Sequence, residues 1–99
     1  MLNINTTNEN GKMTMVLDGR IDTTTAPELE NELKEKLGNS SELIFDLAKV
    51  EYISSAGLRV LLSAQKIMNK QGSMCIKNVC DAVKDIFEVT GFADILTIV

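Results

Sequence analysis

Residues 42–47 read "ELIFDL". Successive side chains of an extended chain point to opposite faces, so the run Leu43, Ile44, Phe45 leaves no face free for water. We therefore assign the segment to a central strand buried on both faces, a property of parallel sheets with helical cover. The flanking segments supply that cover. Downstream, residues 56–70 place Leu58, Leu61, Leu62, Ala64 and Ile67 on adjoining rows of a helix that Gly72 ends. Upstream, "TAPELENELKEKLG" (25–38) spaces Leu29, Leu33 and Leu37 along one helical face and leaves Glu30, Glu32, Lys34 and Glu35 outside. Thr25 and Glu28 have capping-box spacing, Pro27 is tolerated in a first turn, and Gly38 closes the helix.

Further out, "LNINTT" and "MTMVLDG" flank "NENGK", whose Asn10-Gly11 pair supplies the positive backbone angles of a tight hairpin turn. "SMCIKNV" (73–79) reads as a strand, "DAVKDIFEVTG" (81–91) as a helix from Asp81 to Gly91, and "ILTIV" (95–99) as a last strand. The expected fold class is α/β. A mixed, mostly parallel β-sheet is opened by a β-hairpin and covered by α-helices through right-handed crossovers. No repeat or linker interrupts the pattern, so residues 1–99 are expected to form one domain.

Composition narrows the function. With 44% apolar and 24% charged residues the chain can bury a core. Ten basic residues against fourteen acidic give a net charge of −4, so the cationic surface that nucleic acid requires is not in view. The N-terminal "MLNINTTNENGK" has neither the basic start nor the apolar core of a secretory signal, and no apolar run reaches bilayer-spanning length. The reading is a cytoplasmic protein without membrane insertion. Histidine is absent, which removes Ser-His and Cys-His catalytic pairs. Cys75 and Cys80 have no second pair to complete a zinc site, so reduced thiols are expected and neither metal nor cofactor is called for. Met13, Met15, Met68 and Met74 fall on core faces as gap fillers.

Sites in such sheets form where strand ends meet helix starts, and two segments have that context. "DGRIDTTTAPEL" (18–29) sets Asp22 and three threonines between a strand and a helix, and its simplest reading is a capping loop. "YISSAGLRVLL" (52–62) sets Ser54 and Ser55 before a helix, where one hydroxyl suffices as a cap and Gly57 permits close packing. Neither segment is a Gly-rich phosphate cradle. Arg20, Lys49 and Arg59 are candidates for an anion site near these loops, although three surface cations are more often solvated charges.

Together, "LDGRIDTTTA" (17–26), "FDLAKVEYISSAGLRVL" (45–61) and the element order resemble the STAS domain, the family of sulfate transporters and anti-sigma-factor antagonists. The resemblance runs over nearly the whole chain. For a stand-alone chain of this length it implies a bacterial anti-sigma-factor antagonist, a switch protein without enzymatic activity. On this reading the family's acceptor serine falls on Ser55, and Asp22 matches an acidic residue beside it. The implied partners are an anti-sigma factor that is also a serine kinase and a serine phosphatase. The unphosphorylated form binds the kinase and releases a sigma factor. Asp22, Thr23, Ser54, Ser55 and Gly57 form the implied partner-binding set.

Two departures stand out. Ser54 occupies a position where many antagonists carry Asp, and the helix that commonly follows the last strand is missing. Other readings are a non-enzymatic STAS subunit of a transporter complex, such as a lipid-transport ATPase, and a small hydrolase with Ser55 as nucleophile. The second lacks a lysine placed by spacing as base. No obligate interface is suggested, so a monomer is expected.

Overall fold

The computed structural model describes residues 2–99. β1 (Leu2–Glu9) and β2 (Lys12–Ile21) form the antiparallel hairpin expected. Asn10 and Gly11 both take positive φ, 51° and 82°, as a type I′ turn demands. There follow α1 (Ala26–Lys36), β3 (Glu42–Ile53), α2 (Ser55–Gln71), β4 (Ser73–Lys77), α3 (Asp81–Thr90) and a single 3₁₀ turn over Phe92–Asp94. The sheet runs β1-β2-β3-β4, with β2, β3 and β4 parallel. The expected mixed α/β architecture is the one observed.

Core rows run straight across the parallel strands. Met13, Leu43 and Met74 are register partners, as are Met15, Phe45 and Ile76, and all six are buried. Leu29 and Leu33 of α1 and Leu58, Leu61, Ala64 and Met68 of α2 complete the same cluster, so the four methionines do fill the core. α3 adds Val83 and Phe87, and Cys80 Sγ before it donates to the Val50 carbonyl at 3.3 Å.

The double burial expected of β3 holds only for Leu43, Ile44 and Phe45. Beyond them Asp46 is half-buried and Ala48 and Lys49 are exposed. The strand order explains this. From β2 to β3 to β4 the chain advances in one direction, so right-handed crossovers put α1 and α2 on one side and leave the other open. On the open side Asn3, Asn5, Val16, Asp18 and Lys49 line a shallow concavity of about 370 Å³.

β3 also continues further than the apolar run, to Ile53. Between Val16–Asp46 and Asp18–Lys49, and again between Gly19–Val50 and Arg20–Tyr52, β3 spends one more residue than β2. These bulges put the buried positions Leu47, Val50 and Ile53 three apart and erase the alternation that marks a strand in sequence. Asp46 Oδ1 supports the first bulge by accepting from the Ala48 N–H at 3.0 Å.

Two other expectations are corrected, and the helix end read at Gly72 gains its physical reason. The strand assigned to 95–99 is a single parallel bridge between Ile98 and Ile76. The Ile95 and Leu96 N–H groups are turned back onto the Phe92 carbonyl, so extended backbone starts only at Thr97. Thr25 forms no capping box, because its ψ of −22° is already helical and its hydroxyl faces the preceding loop. Gly72 does end α2, but by close approach rather than by a left-handed cap: a Cβ there would lie 1.8 Å from the Ser41 carbonyl oxygen.

Candidate functional site

Because β2 and β3 are parallel and Ile21 pairs with Ile53, the loops after them leave the sheet side by side. They are joined directly. The Ser54 N–H donates to the Ile21 carbonyl at 2.7 Å. Gly57 is buried above both strand ends, where a Cβ would stand 2.5 Å from Ile21 Cγ2 and 2.8 Å from Ile53 Cγ1. Its bare backbone lets the first turn of α2 settle onto β2 and β3. Gly57 therefore positions the site and offers no surface of its own.

The two serines have different environments. Ser54 is the N-cap of α2: its backbone is extended (ψ 173°) and its Oγ accepts from the Gly57 N–H at 3.3 Å. Ser55 is the first residue of the helix and is exposed, and its hydroxyl has no hydrogen-bond partner among the described residues. Capping and chemical availability are thus divided between neighbours. The departure at Ser54 also finds its reason, since Ser and Asp are equivalent caps and the position is a cap.

Asp22 organises the neighbouring loop through one oxygen. Its Oδ1 accepts from the Thr24 N–H at 3.0 Å, the Thr24 hydroxyl at 2.7 Å and the Thr25 N–H at 3.0 Å. Thr25, buried, accepts from the Asp22 N–H at 2.8 Å and donates to the Arg20 carbonyl at 2.7 Å, which holds the turn to the end of β2. The Thr24 hydroxyl first, and then the Thr25 N–H, stabilise the ionised carboxylate and lower its pKa from 3.8 to about 2. At neutral pH the loop between β2 and α1 therefore carries a negative charge.

Between the N-terminal halves of α1 and α2 lies a groove of about 240 Å³, with Ala26, Pro27, Ala56 and Val60 as apolar lining and Thr23, Glu30 and Arg59 as polar lining. Thr23 belongs to the expected partner-binding set. The apolar members carry no chemical signal in sequence, and only helix packing brings them together. The three cations do not gather. Arg20 stacks at 4.5 Å over the Tyr52 ring, Lys49 sits on the open sheet face and Arg59 on the groove. Among the described residues no helix is long and apolar enough to cross a membrane.

Comparison with known proteins agrees with this geometry. The STAS domain profile matches residues 3–99. A putative anti-sigma factor antagonist of Bordetella bronchiseptica, BtrV, is 33% identical over 90 residues, covering 89% of this chain and 78% of that protein. The anti-sigma-B factor antagonist of Staphylococcus aureus is 30% identical over 97 residues, covering 96% and 90%. The crystal structure of an anti-sigma factor antagonist from Mycobacterium paratuberculosis superposes with a TM-score of 0.89 at 22% identity, over 99% of this chain and 85% of that one. With the profile spanning all but the first two residues, and with the Ile21–Ser54 junction and the exposed Ser55 at the sheet's end, the chain is a member of the STAS domain family.

Proposed function

We propose that this protein is an anti-sigma factor antagonist whose binding is switched by phosphorylation of Ser55. The observation that carries the reading is the exposed, unengaged Ser55 hydroxyl at the start of α2, with the cap supplied independently by Ser54. A phosphate can be added there without removing a bond the fold uses. The relatives named as anti-sigma factor antagonists support the same reading over most of the chain. The unmodified surface, comprising Asp22, Thr23, Ser54, Ser55 and the α1–α2 groove, binds an anti-sigma factor serine kinase in the cytoplasm and frees a sigma factor. A serine phosphatase resets it. Modification adds about −1.5 to −2 charge to a surface that already carries ionised Asp22 at neutral pH and imposes a desolvation cost at a dry interface. The chain acts by binding rather than by turnover, since no basic side chain hydrogen-bonds Ser55 among the described residues and no histidine exists to activate it.

The test is capture of the kinase from lysate of the native host by tagged wild type, Ser55→Ala and Ser55→Asp, with the phosphate mapped by mass spectrometry. Wild type and Ser55→Ala should retain an anti-sigma factor serine kinase and Ser55→Asp should lose it. Phosphate found on Ser54, or equal retention by the Asp variant, overturns the assignment.

A further inference from the structure

α2 is the only one of the three α-helices whose first turn carries no acidic residue: α1 has Glu28 there and α3 has Asp81. No side chain of its own offsets the positive end of the α2 dipole. One turn further along, Arg59 adds an exposed cation on the wall of the groove. Among the described residues no carboxylate lies within 4.0 Å of its guanidinium. Glu30, on the same groove, is paired with Lys34 at 3.6 Å instead. An unpaired cation close to the positive end of a helix is poorly placed until an anion joins it. Position 55 is where that anion would be added. Residues 55 and 59 are i,i+4 neighbours, with Cβ atoms about 6 Å apart, and the acidic member would be N-terminal, the favourable order for such a pair.

We infer that Arg59 is the internal receptor for a phosphate on Ser55. The inference rests on the reading of Ser55 as the modified residue. On phosphorylation the guanidinium leaves the groove and takes the phosphate oxygens in a bidentate contact. The modification then changes two surfaces together, placing a dianion at the start of α2 and withdrawing the cation from the groove beside Thr23. Asp22 from the β2–α1 loop and Glu30 from α1 are the acidic groups at this corner, and Arg59 offsets their repulsion of the dianion.

The test uses protein with phosphoserine genetically encoded at position 55, so that no kinase is needed, and follows the phosphate by ³¹P NMR from pH 4 to 8. In the wild type the second phosphate ionisation should fall below its ordinary value of about 6. Arg59→Gln should raise it by roughly 0.3 unit or more, and Arg59→Lys should restore part of the difference. Lys66→Gln removes an equal charge from an exposed site about three turns beyond Ser55 and should leave the titration unmoved. An Arg59→Gln titration superposing on wild type, or a Lys66→Gln shift as large as that of Arg59→Gln, overturns the inference. Ser55 modified by the kinase together with an unmoved Arg59→Gln titration removes the receptor and keeps the switch. An Arg59-dependent titration in a protein whose kinase modifies another residue does the reverse.

Discussion

Replacing Ser54 by alanine removes the one side-chain bond that caps α2, the 3.3 Å contact from the Gly57 N–H. That donor sits under the first turn against Ile21 and Ile53, where water does not readily replace the serine. Ser→Ala at an N-cap costs about 0.5–2 kcal/mol, and because this bond is longer than the usual ~2.7–3.2 Å we place the loss at no more than about 1 kcal/mol. For a domain of this size a loss of that order lowers the melting temperature by roughly 4–8 °C. Ser54→Asp keeps an acceptor at the cap and should melt within roughly 2–3 °C of wild type. Ser55→Ala removes an exposed hydroxyl that bonds nothing, and alanine is the better helix former, so its effect should stay within about 0.5 kcal/mol and be stabilising if resolved. Thermal unfolding followed by far-ultraviolet circular dichroism, with urea midpoints as a second measure, separates the variants. A Ser55→Ala protein that melts as low as or lower than Ser54→Ala would refute the division of roles between the two serines.

Gly57→Ala forces a methyl group onto Ile21 Cγ2 and Ile53 Cγ1, both branch atoms held by the sheet. Overpacking of about 1–3 kcal/mol, less up to ~1 kcal/mol gained in helix propensity, leaves a net loss of about 1–2 kcal/mol. It should be read as a lower urea midpoint at unchanged m, and a stabilised variant would count against the close approach. Asp22 has its pKa lowered to about 2 in the folded chain from 3.8, so its contribution to stability is complete above about pH 4 and is lost as pH falls toward 2. The amide of Asp22→Asn can still accept the loop N–H groups but does not titrate. The melting-temperature difference between wild type and Asp22→Asn should therefore be flat above pH 4 and shrink below it; a difference that stays constant down to pH 2 would show that the Thr24 and Thr25 bonds do not hold the charge.

Much of this protein is legible in the chain because the signals act over a few residues. Asn10-Gly11 sets its own backbone angles, the leucines of α1 and α2 declare their faces by spacing, and Asp81 and Gly91 bound α3 as read. The run at 43–45 is buried on both faces as read, but helices cover only one of them: Leu43 and Phe45 join the core under α1 and α2, while Ile44 faces the open side. The motif also placed Ser55 and Asp22 at the ends of adjacent strands. What stayed hidden depends on partners far away in sequence. The second half of β3 loses its alternation to bulges whose register is dictated by β2. Gly72 answers to a carbonyl at Ser41, and Thr25 turns to Arg20 instead of capping its own helix.

The same division runs through the site. Sequence alone determined that a hydroxyl would stand at the start of α2, because Ser-Ser before Ala-Gly and an apolar helical pattern permits little else. The family resemblance pointed to Ser55, and only the tertiary structure showed how the two hydroxyls divide, with Ser54 as the cap and Ser55 exposed. The Ile21 carbonyl pins the Ser54 N–H and fixes that residue as the extended cap, and this leaves the next hydroxyl outside the hydrogen-bond network and open to solvent. The sheet likewise sets Arg20 and Lys49, both on its open face, apart from Arg59 on the helix-covered side, and no spacing in the chain reveals which side a helix will cover.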